Sequence, residues 1–180
     1  MQRNVIAAVK GDPGTALASK AEILFYLSPS ILNARDVLHR VHQAGKKIYF
    51  HFDLAEGFGK DKAGLLYLKE MGADGIISTR VNVIKAAKEC EIKTVQRFFI
   101  VDSHSIETTI EAAKASKPDM IELMPGVIGK VIPAVKRKLG VPLIVGGLIE
   151  SADEVYAALA AGADAVSTSR AELWNIDTDH

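Results

Sequence analysis

Two apolar runs near the C-terminal end of the chain finish in residues suited to holding an anion. Val141-Pro142-Leu143-Ile144-Val145 leads into Gly146 and Gly147, and Ala163-Asp164-Ala165-Val166 leads into Ser167, Thr168, Ser169 and Arg170. Glycines let backbone N–H groups come close to an anion, serines add hydroxyl donors, and arginine adds a charged fork. Together they read as a phosphate cradle. A second group carries carboxylates and an imidazole. Tyr49-Phe50-His51-Phe52-Asp53 and Met120-Ile121-Glu122-Leu123-Met124 are apolar runs interrupted by His51, Asp53 and Glu122. With the period of two of a strand, Tyr49, His51 and Asp53 share one face while Ile48, Phe50 and Phe52 share the other. Val95-Gln96-Arg97-Phe98 must turn either Gln96 or Arg97 to the face of Glu122, and the spacing leaves both open.

The elements that position these residues follow from hydrophobic period. Apolar strand-like runs begin near Asn4, Glu22, Lys47, Asp74, Lys93, Asp119, Val141 and Asp164. Amphipathic helical patterns lie between them, over Ile31 to Ala44, Asp61 to Met71, Val81 to Glu89, Ser105 to Ala115, Ile128 to Leu139 and Ala152 to Ala161. Near-continuous apolar strands alternating with helices mean an α/β fold with a parallel sheet. An internal repeat selects the closed form. Gly72-Ala73-Asp74-Gly75-Ile76-Ile77-Ser78-Thr79-Arg80 recurs as Gly162-Ala163-Asp164-Ala165-Val166-Ser167-Thr168-Ser169-Arg170, 90 residues later and half the chain on. Strands four and eight then face each other in a compact (β/α)8 TIM-type barrel with half-barrel pseudo-symmetry. Gly-Ala-Asp by itself is an ordinary helix-to-strand turn, but the shared Arg is not explained that way. Ser78 and Arg80 therefore join the candidate ligand residues His51, Asp53, Arg97, Glu122, Gly146, Gly147, Ser167, Ser169 and Arg170. At 180 residues the whole chain, 1–180, is expected to be one domain, with a first helix of one or two turns because the first crossover is so short.

Composition narrows the function. Lys+Arg 22 balance Asp+Glu 22, so no global field draws in nucleic acid and any RNA would meet a local basic patch. Lys85, Lys88, Lys130, Lys136, Arg137 and Lys138 are the candidates for it. The single cysteine, Cys90, excludes an internal disulfide and a cysteine zinc cluster. With no secretory leader and no apolar run of spanning length, a cytoplasmic location is the expectation. His39 and His42 read as solvated helix residues, His104 as part of a helix N-terminal loop, and Trp174 as packing. A self-satisfied ion cluster, Glu122 with Arg97 and Asp53 with His51, competes with a site for a small polyol phosphate; the second is the reading adopted, because buried charge is costly. A metal held by His51, Asp53 and Glu122 is set aside for want of tight ligand spacing, and no cofactor is expected. An enzyme reading makes Asp53 or Glu122 the base and His51 the proton donor of a phosphosugar isomerase or epimerase. No lysine ends a mid-barrel strand, so a Schiff-base aldolase would have only Lys10.

The runs His51-Phe52-Asp53-Leu54, Gly75-Ile76-Ile77-Ser78-Thr79-Arg80, Gln96-Arg97-Phe98-Phe99-Ile100-Val101-Asp102-Ser103, Pro118-Asp119 through Glu122-Leu123-Met124-Pro125-Gly126-Val127-Ile128, Gly146-Gly147-Leu148-Ile149 and Thr168-Ser169-Arg170-Ala171-Glu172-Leu173-Trp174 carry a resemblance to the glycerol-3-phosphate-responsive antiterminators. It implies a barrel that senses glycerol 3-phosphate, binds the leader of a messenger RNA, promotes antitermination in glycerol metabolism and turns nothing over. A homodimer would double its basic patch. Two departures mark this chain: Leu27-Ser28-Pro29-Ser30-Ile31 stands where the family usually has a Gly-Asp-Ile turn, and Ala7-Ala8-Val9-Lys10 where it usually carries a Pro and an Arg.

Overall fold

The computed structural model describes residues 4–178. Eight strands, β1 (Val5–Val9), β2 (Ile23–Tyr26), β3 (Lys47–His51), β4 (Gly75–Ser78), β5 (Lys93–Phe99), β6 (Met120–Met124), β7 (Leu143–Gly146) and β8 (Ala165–Thr168), pair in parallel and in sequence order. The ladder from β8 back to β1, with Ile6 opposite Ser167, closes the barrel. Between strands run α1 (Gly14–Ala18), α2 (Ala34–Gln43), α3 (Lys62–Met71), α4 (Val81–Glu89), α5 (Ser103–Ser116), α6 (Ile132–Leu139) and α7 (Ala152–Ala160). Short 3-10 turns occupy Phe52–Leu54, Gly129–Val131 and Ala171–Asn175. The clipped first crossover holds one helix of five residues, which is how so short a chain completes the barrel.

Several helices are started by local chemistry. Asp61 accepts from the Gly64 N–H at the head of α3, and capping boxes of Asp102 with Ser105 and Ser151 with Glu154 open α5 and α7. His104 accordingly lies in the first turn of α5, exposed.

The sheet-to-helix layer is apolar, with Ile48, Phe50 and Phe52 among its members. The barrel interior is a separate, smaller cluster of Ile6, Phe25, Tyr49, Ile77, Val95, Ile144 and Ala165. Tyr49 needs a glycine opposite: a Cβ on Gly75 would overlap its ring. One two-residue step further along β3, β5, β6, β7 and β8, the interior changes to His51, Arg97, Glu122, Gly146 and Ser167, since side chains on one face recur at every second position. The lower layer fills the barrel with hydrocarbon, and the upper layer carries the chemistry.

The lower end explains part of the repeat. Asp74 accepts from Ile48 N at 2.9 Å, Asp119 from Thr94 N at 2.9 Å and Asp164 from Leu143 N at 2.8 Å. Each aspartate thus ties the strand that follows it to the strand before. His42 Nε2 lies 2.9 Å from Asp74, so this histidine is bound to the lower rim and is not simply solvated. Lys136 does the same for the second copy, donating to Gly162 O at 2.6 Å and to Asp164 at 2.9 Å.

Candidate ligand-binding site

At the C-terminal end of the barrel, Arg97 on β5 donates from Nε to Glu122 Oε2 on β6 at 2.6 Å, and Ser167 Oγ on β8 donates to Glu122 Oε1 at 2.5 Å. Glu122 is fully buried and Arg97 nearly so. The structure thereby decides the open choice on β5: Arg97 faces the interior, whereas Gln96 points to the helix layer and accepts from Ser116 Oγ of α5. Gly146 on β7 is the floor beside this triad. A Cβ there would overlap Ser167 Oγ and sit 2.8 Å from Glu122 Oε1, so only a glycine leaves the pair room.

Above the triad opens a cleft lined by Ala8, Leu27, Arg97, Met124, Gly147, Leu148, Ile149, Ser167, Thr168 and Ser169. Gly147 has φ 76 and Leu148 φ 59, a pair of left-handed residues that turns the chain sharply at the end of β7. Thr168 Oγ1 donates to Ile149 O at 2.9 Å and accepts from Arg170 N at 3.1 Å, while Trp174 Nε1 donates to Thr168 O at 2.8 Å. Trp174 thus packs and pins the end of β8. The cradle residues Gly147, Ser167 and Ser169 do line one cleft. Arg170 does not: its guanidinium turns outward to Glu150, 2.8 Å away, at the exposed rim. The cation that reaches the cleft is Arg97.

Asp53 departs from its expected place. β3 ends at His51 and the chain enters the 3-10 turn Phe52–Leu54, so strand alternation stops before Asp53 is reached. Its carboxylate reaches sideways to the end of β4. There it accepts from Ser78 Oγ at 2.6 Å, Thr79 N at 2.8 Å, Thr79 Oγ1 at 2.9 Å, and Arg80 Nε and Nη2 at 3.2 Å each. Burial opposes ionisation of Asp53, yet these donors outweigh it and hold its carboxyl below the usual range. Of the competing ion-cluster reading, Glu122 with Arg97 forms and Asp53 with His51 does not, Asp53 being held by Ser78, Thr79 and Arg80 instead.

His51 is 4% exposed, and its Nδ1 has no hydrogen-bond partner. Burial first, and the nearby Arg97 charge second, push its pKa down to about 4, so the imidazole is neutral near pH 7. Among the described residues no three His, Cys, Asp or Glu side chains converge to hold a metal ion.

The proposed basic patch is divided. Lys85 and Lys88 lie on α4, with Lys88 3.6 Å from Asp119, while Lys130, Lys136, Arg137 and Lys138 lie on or next to α6. α5 stands between them, packed on both. Lys136 is held at the lower rim and Arg137 Nε donates to Pro133 O at 3.3 Å, leaving Lys130 and Lys138 as the more open cations of that group.

Sequence reasoning missed Thr79 and Thr168. The repeat carries the signal for both: Thr79 is equivalent to Ser169 and Thr168 to Ser78, and the Ser78 and Thr168 hydroxyls each accept at 3.1 Å from the N–H of the arginine two residues on, Arg80 or Arg170.

The sequence model of the family described as glycerol-3-phosphate responsive antiterminator matches residues 5–174. A crystal structure of the glycerol uptake operon antiterminator regulatory protein from Listeria monocytogenes superposes with a TM-score of 0.89 at 32% identity, covering 97% of this chain and 96% of that one. A glycerol uptake operon antiterminator-related protein from Thermotoga maritima gives a TM-score of 0.85 at 30% identity, over 97% and 99% of the two chains. An uncharacterized protein of Escherichia coli, YgcP, is 35% identical over 178 residues, 97% of this chain and 93% of that protein.

Proposed function

The chain belongs to the glycerol-3-phosphate responsive antiterminator family, and on that premise we propose that it is a glycerol 3-phosphate sensor that binds a leader messenger RNA and turns over no substrate. The observation that carries the reading is the Arg97–Glu122–Ser167 triad lying directly beneath a cleft walled by Gly147 and Ser169. The phosphate rests on the Gly147 and Ser169 backbone and hydroxyl donors near Arg97, a glycerol hydroxyl reaches His51, and Glu122, fully buried, holds Arg97 and Ser167 in place from beneath. Two features argue against an isomerase. Glu122 already accepts from Arg97 and Ser167, which makes it a poor base, and His51 carries no acidic proton to donate near pH 7. A cytoplasmic location and a homodimer belong to the same reading; no helix among the described residues is long and apolar enough to cross a membrane.

A phosphorus NMR titration with glycerol 3-phosphate, followed over hours, tests it. Saturable binding with the ligand unchanged is the expected result; new phosphorus resonances would make the protein an enzyme. Gly146→Ala should weaken the affinity at least about tenfold, roughly 1.4 kcal/mol, because its methyl group displaces Ser167 and Glu122. Calorimetric titration of the folded variant measures this. For the RNA, paired replacement of Lys130 and Lys138 by Glu should lower leader affinity and flatten its salt dependence by about one unit of log–log slope for each phosphate no longer neutralised. Filter binding at several salt concentrations reads both, with the Lys85 and Lys88 pair as the alternative RNA-facing cations.

A further inference from the structure

The two half-barrels end in the same short turn and surround it with different partners. His51 pairs with Ile77 across β3 and β4, and Gly146 pairs with Ser167 across β7 and β8. Ile77 and Ser167 hold the same place in the repeat, so His51 corresponds to Gly146 and, two residues on, Asp53 corresponds to Leu148. Past this point each half continues with the same turn, an arginine N–H bonded at 3.1 Å to the hydroxyl two residues earlier. In the first half the cradle is filled by the chain itself, with the hydroxyls of Ser78 and Thr79, the Thr79 N–H and the Arg80 guanidinium all directed at the Asp53 carboxylate. In the second half the equivalent residue, Leu148, adopts φ 59 and is 68% exposed, Thr168 Oγ1 donates to Ile149 O, and the Arg170 guanidinium turns to Glu150 at the rim. Leu148 itself lines the cleft together with Gly147, Thr168 and Ser169.

The first cradle is also braced in its filled state. Lys60 donates to Phe52 O at 2.8 Å and to Ala55 O, closing the 3-10 turn that carries Asp53, and its ammonium lies 5.4 Å from the centre of the Phe52 ring. A carboxylate with five donors, on a turn held from behind, is a resident anion and not a mobile surface group.

We infer that Asp53 is a specificity-determining residue: it occupies the anion site of the first half-barrel, so that the mouth admits a ligand with one phosphoryl group and rejects one carrying a phosphoryl group at each end. This selectivity rests on the ligand reading above and deepens it. A second phosphate reaching the Ser78–Arg80 turn would have to displace the carboxylate or lie against it, and like charges in contact repel. On the opposite side the cleft lining carries no carboxylate: Leu148, Gly147 and Ser169 form it, with Glu122 buried beneath and Glu150 paired with Arg170 at the rim.

Inorganic phosphate and propane-1,3-diyl bisphosphate are the probes. Calorimetry on the wild-type chain, Asp53→Ala and Asp53→Ala/Arg80→Ala should show the phosphate stoichiometry rise from one to two in the single variant and return to one in the double. Asp53→Ala should bind the bisphosphate at least about tenfold more tightly than the wild type does, the scale expected when a charge-assisted anion site is gained. Should Asp53→Ala be too unstable for titration, its melting temperature read against phosphate concentration serves instead: a rise that the added Arg80→Ala abolishes supports the inference. No Arg80-dependent phosphate site in Asp53→Ala, by either readout, overturns it. Absence of glycerol 3-phosphate binding in the wild type, by contrast, overturns the parent ligand reading, and the selectivity with it.

Discussion

Replacing Glu122 by alanine should cost about 3–5 kcal/mol of folding stability, the range for removing one partner of a buried ion pair. The carboxylate is fully buried and satisfies two donors at once, Arg97 Nε and Ser167 Oγ. Without it, Arg97, 8% exposed, is left inside the barrel without its ion-pair partner, and neighbouring His51, neutral and short of a partner itself, supplies no negative charge. The cost is therefore mostly stranded charge. Two further variants separate that from the cavity left by a missing side chain. Glu122→Gln keeps an acceptor in place and should lose less, while Arg97→Met/Glu122→Leu removes both charges at similar volume and should recover most of the stability. Urea unfolding at pH 7 gives all three differences; a double variant as unstable as Glu122→Ala would assign the loss to packing. The same variants show why the pair exists. If an apolar pair folds as well but no longer binds glycerol 3-phosphate, the ion pair serves the ligand and not the fold.

The barrel was readable because parallel strands covered on both faces must be apolar throughout, and such runs stand out between amphipathic helices. Strand starts read near Lys47 and Lys93 coincide with β3 and β5, and those near Asp74, Asp119 and Asp164 precede β4, β6 and β8 by one residue. The offset has a cause: each aspartate accepts a backbone N–H of the preceding strand before its own strand begins. The placement of the candidate site residues was legible only where they lie on strands. His51, Glu122 and Ser167 follow strand parity into the barrel, and Gly146 is conspicuous as a glycine at a strand end. Parity could not choose between Gln96 and Arg97, because both are buried, one against α5 and one inside. It failed for Asp53, which lies past the last strand residue in a 3-10 turn, and it said nothing about Arg170, whose direction is set by Glu150 at the rim. Nor does a lysine-rich helix end reveal which cations are free: Lys136 closes a strand junction, a role visible only once Asp164 is placed beside it.

His51 should make the protein measurably less stable in mild acid. Its pKa is pushed from 6.5 down to about 4 in the folded chain, by burial and then by the Arg97 charge, against the partial compensation of Asp53; the Lys60 ammonium adds slightly to the depression. The folded state thus refuses a proton that the unfolded chain takes up as pH falls below about 6.5. Stability is fully present above that pH, declines through the interval, and has lost the whole contribution once pH passes below about 4. Between pH 7 and pH 5 the expected loss from this one residue is about 2 kcal/mol, a large part of the margin of an ordinary domain. Asp53 cannot mimic the effect, because its carboxyl is held below the usual carboxylate range and releases its contribution only at lower pH. Urea unfolding of the wild type and of His51→Gln at pH 7, 6 and 5 isolates the imidazole: the variant, which has nothing to protonate at this position, should lose about 2 kcal/mol less over the same interval. Equal losses in the two proteins would mean that the ring finds an acceptor for its second proton, and the neutral imidazole assigned to the ligand hydroxyls would have to be replaced by a cation.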